Sequence, residues 1–347
     1  MRADDPWVSH IELQIHEDDA GIRLDRFLRK LLPGAGLGFI QKLCRKGARL
    51  NGQKAHARDR LEAGDVLRLA LGPEELERLR LPQKKTGPNS ETKAIPPRRP
   101  ARLRVRFEDS HVLVVEKPAG LLVHGGPKGE PDLTTMVREF LPSGDSLTFR
   151  PSPAHRLDRE TSGLVVFGKT ARALRALTQS LREGRWAKCY LALLAGRPNP
   201  SMGVLHGRLR RGEPSRRGEA RVRAVGEESE GGKEARLRYQ LVESRAGLSL
   251  VAVLLETGRT HQIRVQFQEH GCPLVGDSRY GGVQARGLPF VLHATKLLLP
   301  HPLSDKLLTV EAPLRGRIRN LLQNAGFSKD PRPALEALLE PFRGESE

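Results

Sequence analysis

The chain has 347 residues, enough for two domains and a sizeable core, and carries 59 Lys and Arg against 41 Asp and Glu, a formal net charge of +18. An excess of that size points to a polyanionic partner, nucleic acid first, because each phosphate neutralised releases counterions. Three scattered cysteines, Cys44, Cys189 and Cys272, argue against a disulfide framework and for a reducing compartment; the start, Met1 to Pro6, lacks the basic lead and apolar core of a signal peptide, and no apolar run is long enough to span a bilayer. A cytoplasmic, soluble protein without a membrane partner is expected.

Residues 8–72 read as a small α/β module. Val8 to Ile15 alternates apolar and polar residues as a strand does, and Leu24, Phe27, Leu28 and Leu31 fall at helical spacing. Pro33 and Gly34 end that helix. A second helix, Phe39 to Lys46, turns Ile40 and Leu43 inward and Lys42, Arg45 and Lys46 outward, with Gly47 closing it. Asn51-Gly52 is a hairpin-turn signal, and Val66 to Leu71 a strand. The run Gly34 to Gly38 is not a dinucleotide-binding fingerprint, since it follows a helix instead of a strand. Residues 73–101 form the expected linker: Glu74 to Arg80 is charged and helical in pattern, and Gln83 to Pro100 is Lys, Pro, Ser, Thr and Arg with almost nothing to bury.

A larger domain is expected over residues 102–326. Leu103 to Phe107, His111 to Glu116, Leu164 to Gly168, Cys189 to Leu194, Ala235 to Glu243, Leu248 to Glu256 and Phe290 to Leu299 read as strands. Leu133 to Leu141, Ala171 to Arg182, Thr260 to His270 and Arg317 to Ala325 read as helices. Strands dominate and helices come singly, so the fold class is α+β with a mixed, largely antiparallel sheet flanked by helices and loops. Arg208 to Lys233 is charged and Gly-rich and reads as a long loop; residues 327–347 read as a C-terminal tail with a short amphipathic piece, Ala334 to Leu339.

The chemistry concentrates in four clusters. Lys117-Pro118-Ala119-Gly120 runs on to Val123-His124-Gly125-Gly126. His155-Arg156-Leu157-Asp158-Arg159 precedes a small polar turn and a buried strand, which holds one carboxylate in place between two arginines. Lys188-Cys189-Tyr190 opens a strand. Thr257 to Arg264 is followed by Gly276-Asp277-Ser278-Arg279-Tyr280-Gly281. No His-x-x-x-His or His-Glu-x-x-His occurs, and the arginines around Asp158 disfavour a second positive centre, so no metal is expected. His155-Arg156-Leu157-Asp158 has a kinase-like look, but the phosphate loop, strand lysine and Asp-Phe-Gly of a kinase are missing, as is a Gly-x-Ser-x-Gly elbow. Taken alone, Asp158 is a nucleophile, a base or half of a structural ion pair, and Tyr190 is a stacking platform for a base or a core aromatic. Arg264, beside Ile263 and near Phe267, is expected to be partly buried and to need a carboxylate.

Together these clusters resemble, in order and over residues ~102 to ~325, the motifs of the RNA pseudouridine synthases that modify large-subunit ribosomal RNA. Leu292-His293-Ala294 and His301-Pro302 resemble the family's closing strand, and Val123-His124-Gly125-Gly126 is similar to the members acting on several large-subunit sites. The N-terminal module resembles an S4 RNA-binding domain through Arg23 to Leu28, Ile40 to Leu43, Asn51-Gly52 and Leu61 to Asp65; it departs at Gly34 to Gly38, where such domains carry Ser or Arg.

The resemblance implies isomerisation of a uridine in RNA to pseudouridine, without redox change and so without a cofactor. It implies Asp158 as nucleophile or base, Tyr190 stacked on a flipped uracil, and Arg264 paired with Asp158. It implies RNA contacts at His155, Arg156, Lys117, Arg259 and His261 in the larger domain, and at Arg26, Lys42, Arg45 and Lys46 in the module. The implied partner is ribosomal RNA, and a monomer is expected. A non-catalytic RNA-binding or ribosome-assembly protein on the same fold is the competing reading, disfavoured because the acid, tyrosine and arginine are all present. A hydrolase of the same glycosidic bond would need a second carboxylate to activate water, and the motifs supply none.

Overall fold

The computed structural model describes residues 9–81, 103–126, 130–142, 144–213, 221–226, 229–283, 288–304 and 306–343. They form two compact units. One gathers the described residues up to Leu81 with Arg138–Pro151 and Thr170–Arg172; the other holds the remainder.

In the first unit β1 (Ile11–Gln14) leads to α1 (Leu24–Leu31) and α2 (Leu37–Lys46), then β2 (Ala48–Leu50), β3 (Gln53–Lys54), β4 (Val66–Leu69) and α3 (Pro73–Arg80). The strands make an antiparallel sheet in the order β1-β4-β2-β3. Helix α1 buries Leu24, Phe27, Leu28 and Leu31, the face its spacing predicts. Asn51 and Gly52 both take positive φ, 50° and 81°, as a two-residue β2–β3 hairpin requires.

Helix α3 corrects the expected linker. Leu76 and Leu79 are buried in the core of this unit. Gly34 donates to the Leu79 carbonyl at 2.8 Å, and a Cβ there would lie 2.5 Å from the Leu81 carbonyl oxygen. The glycine therefore serves the close approach of α3. The Lys- and Pro-rich stretch from Gln83 to Pro100 lies outside the described residues.

Asp19 anchors the 138–151 segment within this unit. Its carboxylate is fully buried and accepts from the amides of Leu147 (2.8 Å) and Thr148 (3.0 Å) and from the hydroxyls of Ser146 (2.9 Å) and Thr148 (2.6 Å). Four such bonds satisfy a charge that burial would otherwise penalise by several kcal/mol, on the order of the cost of desolvating an ion. Leu147 packs on the same core.

The second unit is built on an 11-stranded sheet. Its elements are β5 (Arg104–Glu108), β6 (Val112–Lys117), α4 (Leu133–Phe140, whose last residues group with the first unit), β7 (Ser152–Pro153), β8 (Ser162–Gly168), α5 (Ala171–Arg182) and β9 (Ala187–Ala195). Then follow β10 (Met202–Arg211), β11 (Val222–Val225), β12 (Lys233–Arg245), β13 (Leu248–Leu255), α6 (Gln262–Glu269), β14 (Leu292–Pro300), β15 (Leu307–Glu311), α7 (Gly316–Asn324) and α8 (Arg332–Arg343). The order is β11-β10-β12-β13-β9-β14-β8-β6-β5, with β15 on β14 and β7 on β8. Every pairing is antiparallel except β14 with β8. Strands β8, β9, β13 and β14 are buried along almost their whole length, which explains their near-continuous apolar sequence.

Two expectations fail here. The stretch expected as a loop over 208–233 contains the end of β10 and all of β11, paired from Arg208↔Val225 to Arg211↔Val222. Of these paired residues only Leu209 and Val222 are buried, against Val265 and Tyr280, among Arg208, Arg210, Arg211 and Arg223, so the alternation drowns in charge. Residues 214–220 and 227–228 lie outside the described residues. The C-terminal tail is no tail: α8 sinks Ala334, Leu335, Leu338 and Leu339 into a core shared with β9, β13 and Leu322 of α7. Among the described residues no helix is long and apolar enough to cross a membrane.

Candidate active site

The loop ahead of β8 is fixed from three sides. The Thr161 amide donates to the Asp158 carbonyl at 3.2 Å, closing a four-residue turn around Arg159 and Glu160. Gly163 has φ +112°, and a Cβ there would lie 2.2 Å from the Ala294 carbonyl oxygen on β14, so only glycine lets the two parallel strands meet. Beside it the Ser162 hydroxyl donates to Nδ1 of His293 at 2.8 Å, while Nε2–H of that ring donates to the Ala312 carbonyl at 2.6 Å. Burial lowers the His293 pKa and favours this neutral tautomer.

Lys117 provides the third constraint, and the expected RNA contact there is corrected. Its side chain is fully buried, and the ammonium donates to the carbonyls of Leu121 (2.7 Å), Arg159 (2.9 Å) and Pro118 (3.0 Å). An ammonium has three protons, and all three are taken. Burial pulls its pKa down to about 8, against the pull of Glu160 and Asp158. Lys117 ties the turn bearing Asp158 to the end of β6.

Asp158 itself opens onto a cavity of about 540 Å³, lined among others by Arg156, Lys188, Tyr190, Arg259, His261 and Arg264. Its carboxylate is 21 % exposed and lies 3.7 Å from a terminal guanidinium nitrogen of Arg264 and 3.7 Å from Nε2 of His261. Arg264 is held elsewhere: Nε and a terminal nitrogen donate to the two oxygens of Asp277 at 2.7 and 2.8 Å. Burial works against the Arg264 charge, the Asp277 pair outweighs it, and the net effect raises its pKa. The guanidinium also lies 4.9 Å from the ring centre of Tyr280. The expected pairing of Arg264 with Asp158 is present as a 3.7 Å ion pair; Asp277, which the expectation did not include, is the hydrogen-bonded partner.

His261, expected to touch RNA, lines the cavity beside Asp158. It is 8 % exposed, takes a left-handed φ of 54° just before α6, and its Nδ1 lies 2.7 Å from the Tyr280 hydroxyl. That ring directs Nε2 toward Asp158. His155 lines the cavity, but its Nε2 accepts from the Val166 amide at 3.2 Å and its ring stands edge-on to Trp186 at 5.6 Å. Burial, with the charge of Lys188, takes its pKa down to about 3, so it is a neutral acceptor and not a phosphate-binding cation.

Tyr190 points into the cavity from β9, between Val253 on β13 and Ala294 on β14, and is 6 % exposed. Burial first, then the negative charge of Asp158, push its phenol well up, so it remains protonated. Arg156 and Arg259 stand exposed at the cavity mouth, with Nε of Arg259 donating to the Glu234 carbonyl at 2.7 Å. Arg26, Lys42, Arg45 and Lys46 are exposed on α1 and α2 of the first unit.

Three side chains at this site escape the sequence reading. Asp277 and Tyr280 stand in a quoted motif, but their roles depend on a turn that brings them back to α6. Lys188 is two residues from Tyr190 on one strand and so shares its face, a signal the spacing carried.

A family model described as RNA pseudouridylate synthase matches residues 111–269. The chain is 32% identical over 327 residues to ribosomal large subunit pseudouridine synthase C of Vibrio vulnificus, covering 91% of this chain and 97% of that protein. It is 33% identical over 337 residues to the protein of the same name from Escherichia coli K12, covering 93% and 98%. Among solved structures, human RNA pseudouridylate synthase domain containing 1 superposes with a TM-score of 0.51 at 25% identity, covering 68% of this chain and all of that one. The human domain containing 4 protein shares the fold, with a TM-score of 0.53 at 23% identity over 65% and 95% of the two chains.

Proposed function

The chain belongs to the RNA pseudouridine synthase family, and from that premise we propose that its substrate is large-subunit ribosomal RNA, with Asp158 as the catalytic carboxylate. The protein is an RNA pseudouridine synthase: it isomerises uridine in RNA. In that reaction the bond from the ribose C1′ to N1 of uracil breaks, a bond from C1′ to C5 forms, C5 loses a proton and N1 gains one. Electrons balance without an oxidant or reductant.

The observation that carries the assignment of Asp158 is its position. Among the described residues it is the one carboxylate of the cavity that lines it together with Tyr190 and Arg264 and has no hydrogen-bonded cation, while the other lining carboxylate, Glu256, is engaged by Arg236 (2.7 Å) and Arg238 (2.5 Å). A target uridine must leave its helix to reach Asp158, and Tyr190 offers the flipped uracil a flat, protonated phenol. Arg264, locked by Asp277, supplies a fixed positive charge beside the acid. The name carried by the relatives supports the ribosomal substrate. In the first unit, the basic outer faces of α1 and α2 support an S4-like RNA-binding role for Arg26, Lys42, Arg45 and Lys46. Three free, buried cysteines agree with a reducing cytoplasm.

The test is a pseudouridine map of ribosomal RNA from cells with and without the gene, complemented by wild type or by Asp158→Asn. One or more large-subunit sites should vanish on deletion, return with wild type and stay absent with Asp158→Asn, while purified Asp158→Asn still binds the RNA. Turnover by Asp158→Asn would overturn the role of the acid.

A further inference from the structure

Lys188 is 8 % exposed, lines the cavity, and meets neither a carboxylate nor a hydrogen-bond acceptor among the described residues. Its ammonium lies against the Thr257–Arg259 turn, where a Cβ on Gly258 would sit 3.2 Å from Nζ. That turn is itself held rigid, since Oε1 of Gln262 accepts from the Arg259 amide (3.0 Å) and the Thr257 hydroxyl (2.8 Å). The charge of Arg259 acts on it unfavourably, and His155, which feels the charge of Lys188, is neutral. An unpartnered ammonium on a side chain this deeply buried is costly, and proteins normally pair it or neutralise it. Neither acid of the cavity pairs with it: Glu256 is engaged by Arg236 and Arg238, and the ion-pair contacts of Asp158 are with Arg264 and His261.

We propose that Lys188 is a binding residue for the RNA backbone inside the cavity, its ammonium taking a non-bridging oxygen of a phosphate that flanks the target uridine. Lys188 and Tyr190 project from the same face of β9, about 6.6 Å apart along the strand, as residues i and i+2 do. With uracil on Tyr190 and the ribose at Asp158, a flanking phosphate is the anion that the substrate itself brings into the cavity. The phosphate completes the missing ion pair, so binding is rewarded only when the nucleotide is seated inside. Uracil carbonyls are weaker fits, because they supply no charge to an ammonium that has none opposite it. The inference rests on the proposed RNA substrate and on Asp158 as the reacting acid.

The test is a double-substitution cycle on a synthetic RNA stem-loop containing the uridine that the pseudouridine map identifies. Wild type, Lys188→Met and Lys188→Gln are titrated against the all-phosphate RNA and against two RNAs carrying a single methylphosphonate, 5′ or 3′ of that uridine. Lys188→Met should bind the all-phosphate RNA about 10- to 100-fold more weakly, the worth of one charge-assisted hydrogen bond. One of the two methylphosphonates should weaken wild type by a similar factor and leave Lys188→Met nearly unchanged. Both variants remove an unpaired buried charge, so their melting temperatures should equal or exceed that of wild type. Losses that multiply at both positions overturn the inference while leaving the enzyme's activity standing. Absence of any wild-type turnover on ribosomal RNA would instead overturn the substrate reading.

Discussion

Arg264 gives its two short hydrogen bonds, 2.7 and 2.8 Å, to Asp277, and reaches Asp158 only as a 3.7 Å ion pair. The geometry separates two tasks that a single carboxylate would perform badly. Asp277, 2 % exposed, fixes the guanidinium; Asp158, one-fifth exposed, keeps its oxygens uncommitted and open to the cavity.

Asp277→Ala should therefore damage the site without touching the acid. Breaking a buried pair leaves an uncompensated charge and costs about 3–5 kcal/mol. Urea denaturation should show that loss, and single-turnover isomerisation should fall at least tenfold with Asp158 intact. Asp277→Asn, which retains one acceptor for Arg264, should fall between. Wild-type turnover in Asp277→Ala would show that Arg264 holds its place without this partner.

Gly163→Ala should be far more harmful than its size suggests. The new methyl would lie 2.2 Å from the Ala294 carbonyl oxygen, in a backbone conformation closed to alanine. We expect a loss of at least about 3 kcal/mol, at the severe end of single substitutions. Gly125→Ala provides the comparison. Its φ is +77°, but nothing lies within 4 Å of the added carbon, so only the conformational cost of about 1–2 kcal/mol applies. Equal losses at the two positions would mean that the β8–β14 approach is not as tight as described.

His155 should make the protein sensitive to mild acid. Its pKa falls from 6.5 to about 3 in the fold, through burial first and then the charge of Lys188. Between those values the unfolded chain binds a proton that the folded chain refuses. Stability is then fully present above about pH 6.5 and declines as pH falls toward 3. The buried His293, also lowered, adds in the same direction. His155→Gln should lose less stability than wild type between pH 7 and pH 5, read as the difference in urea midpoint. Parallel curves for the two proteins would place the His155 titration outside that window.

The helical bases of the first unit should appear in the salt dependence of binding. Each phosphate contact contributes roughly 0.7 to 0.9 to the slope of log K against log salt. Replacing Lys42, Arg45 and Lys46 together by Gln should flatten the slope by about 2 to 3 and weaken binding at low salt, with turnover of saturated enzyme little changed. An unchanged slope would remove α2 from the RNA interface.

Much of this molecule is legible in its sequence because period and burial agree. The α1 face, the Asn51-Gly52 hairpin and the apolar strands β9, β13 and β14 follow from spacing alone. The misread segments share a cause. Where β10 ends and pairs with β11, only Leu209 and Val222 are buried, and they stand among arginines that mask the alternation. Helix α3 buries only Leu76 and Leu79, too few to distinguish it from a charged linker. At the site, the acid and tyrosine stand in short local patterns. The partner of Arg264 lies 13 residues away across a turn, and whether Lys117 faces RNA or three carbonyls depends on folding that no local pattern records.

The place of β14 has a consequence for synthesis. It lies between β9 and β8, the strand that carries Tyr190 and the strand that follows Asp158, and pairs with both. A nascent chain can form the β12–β13–β9 ladder and the antiparallel β6–β8 pair first, but these are separate pieces until residues 292–300 have left the ribosome and closed the gap. Such non-local closure is slow to form and late in order. The strand of the tyrosine and the strand that follows the acid are joined only once β14 is in place, so a product ending before β14 is expected not to modify RNA.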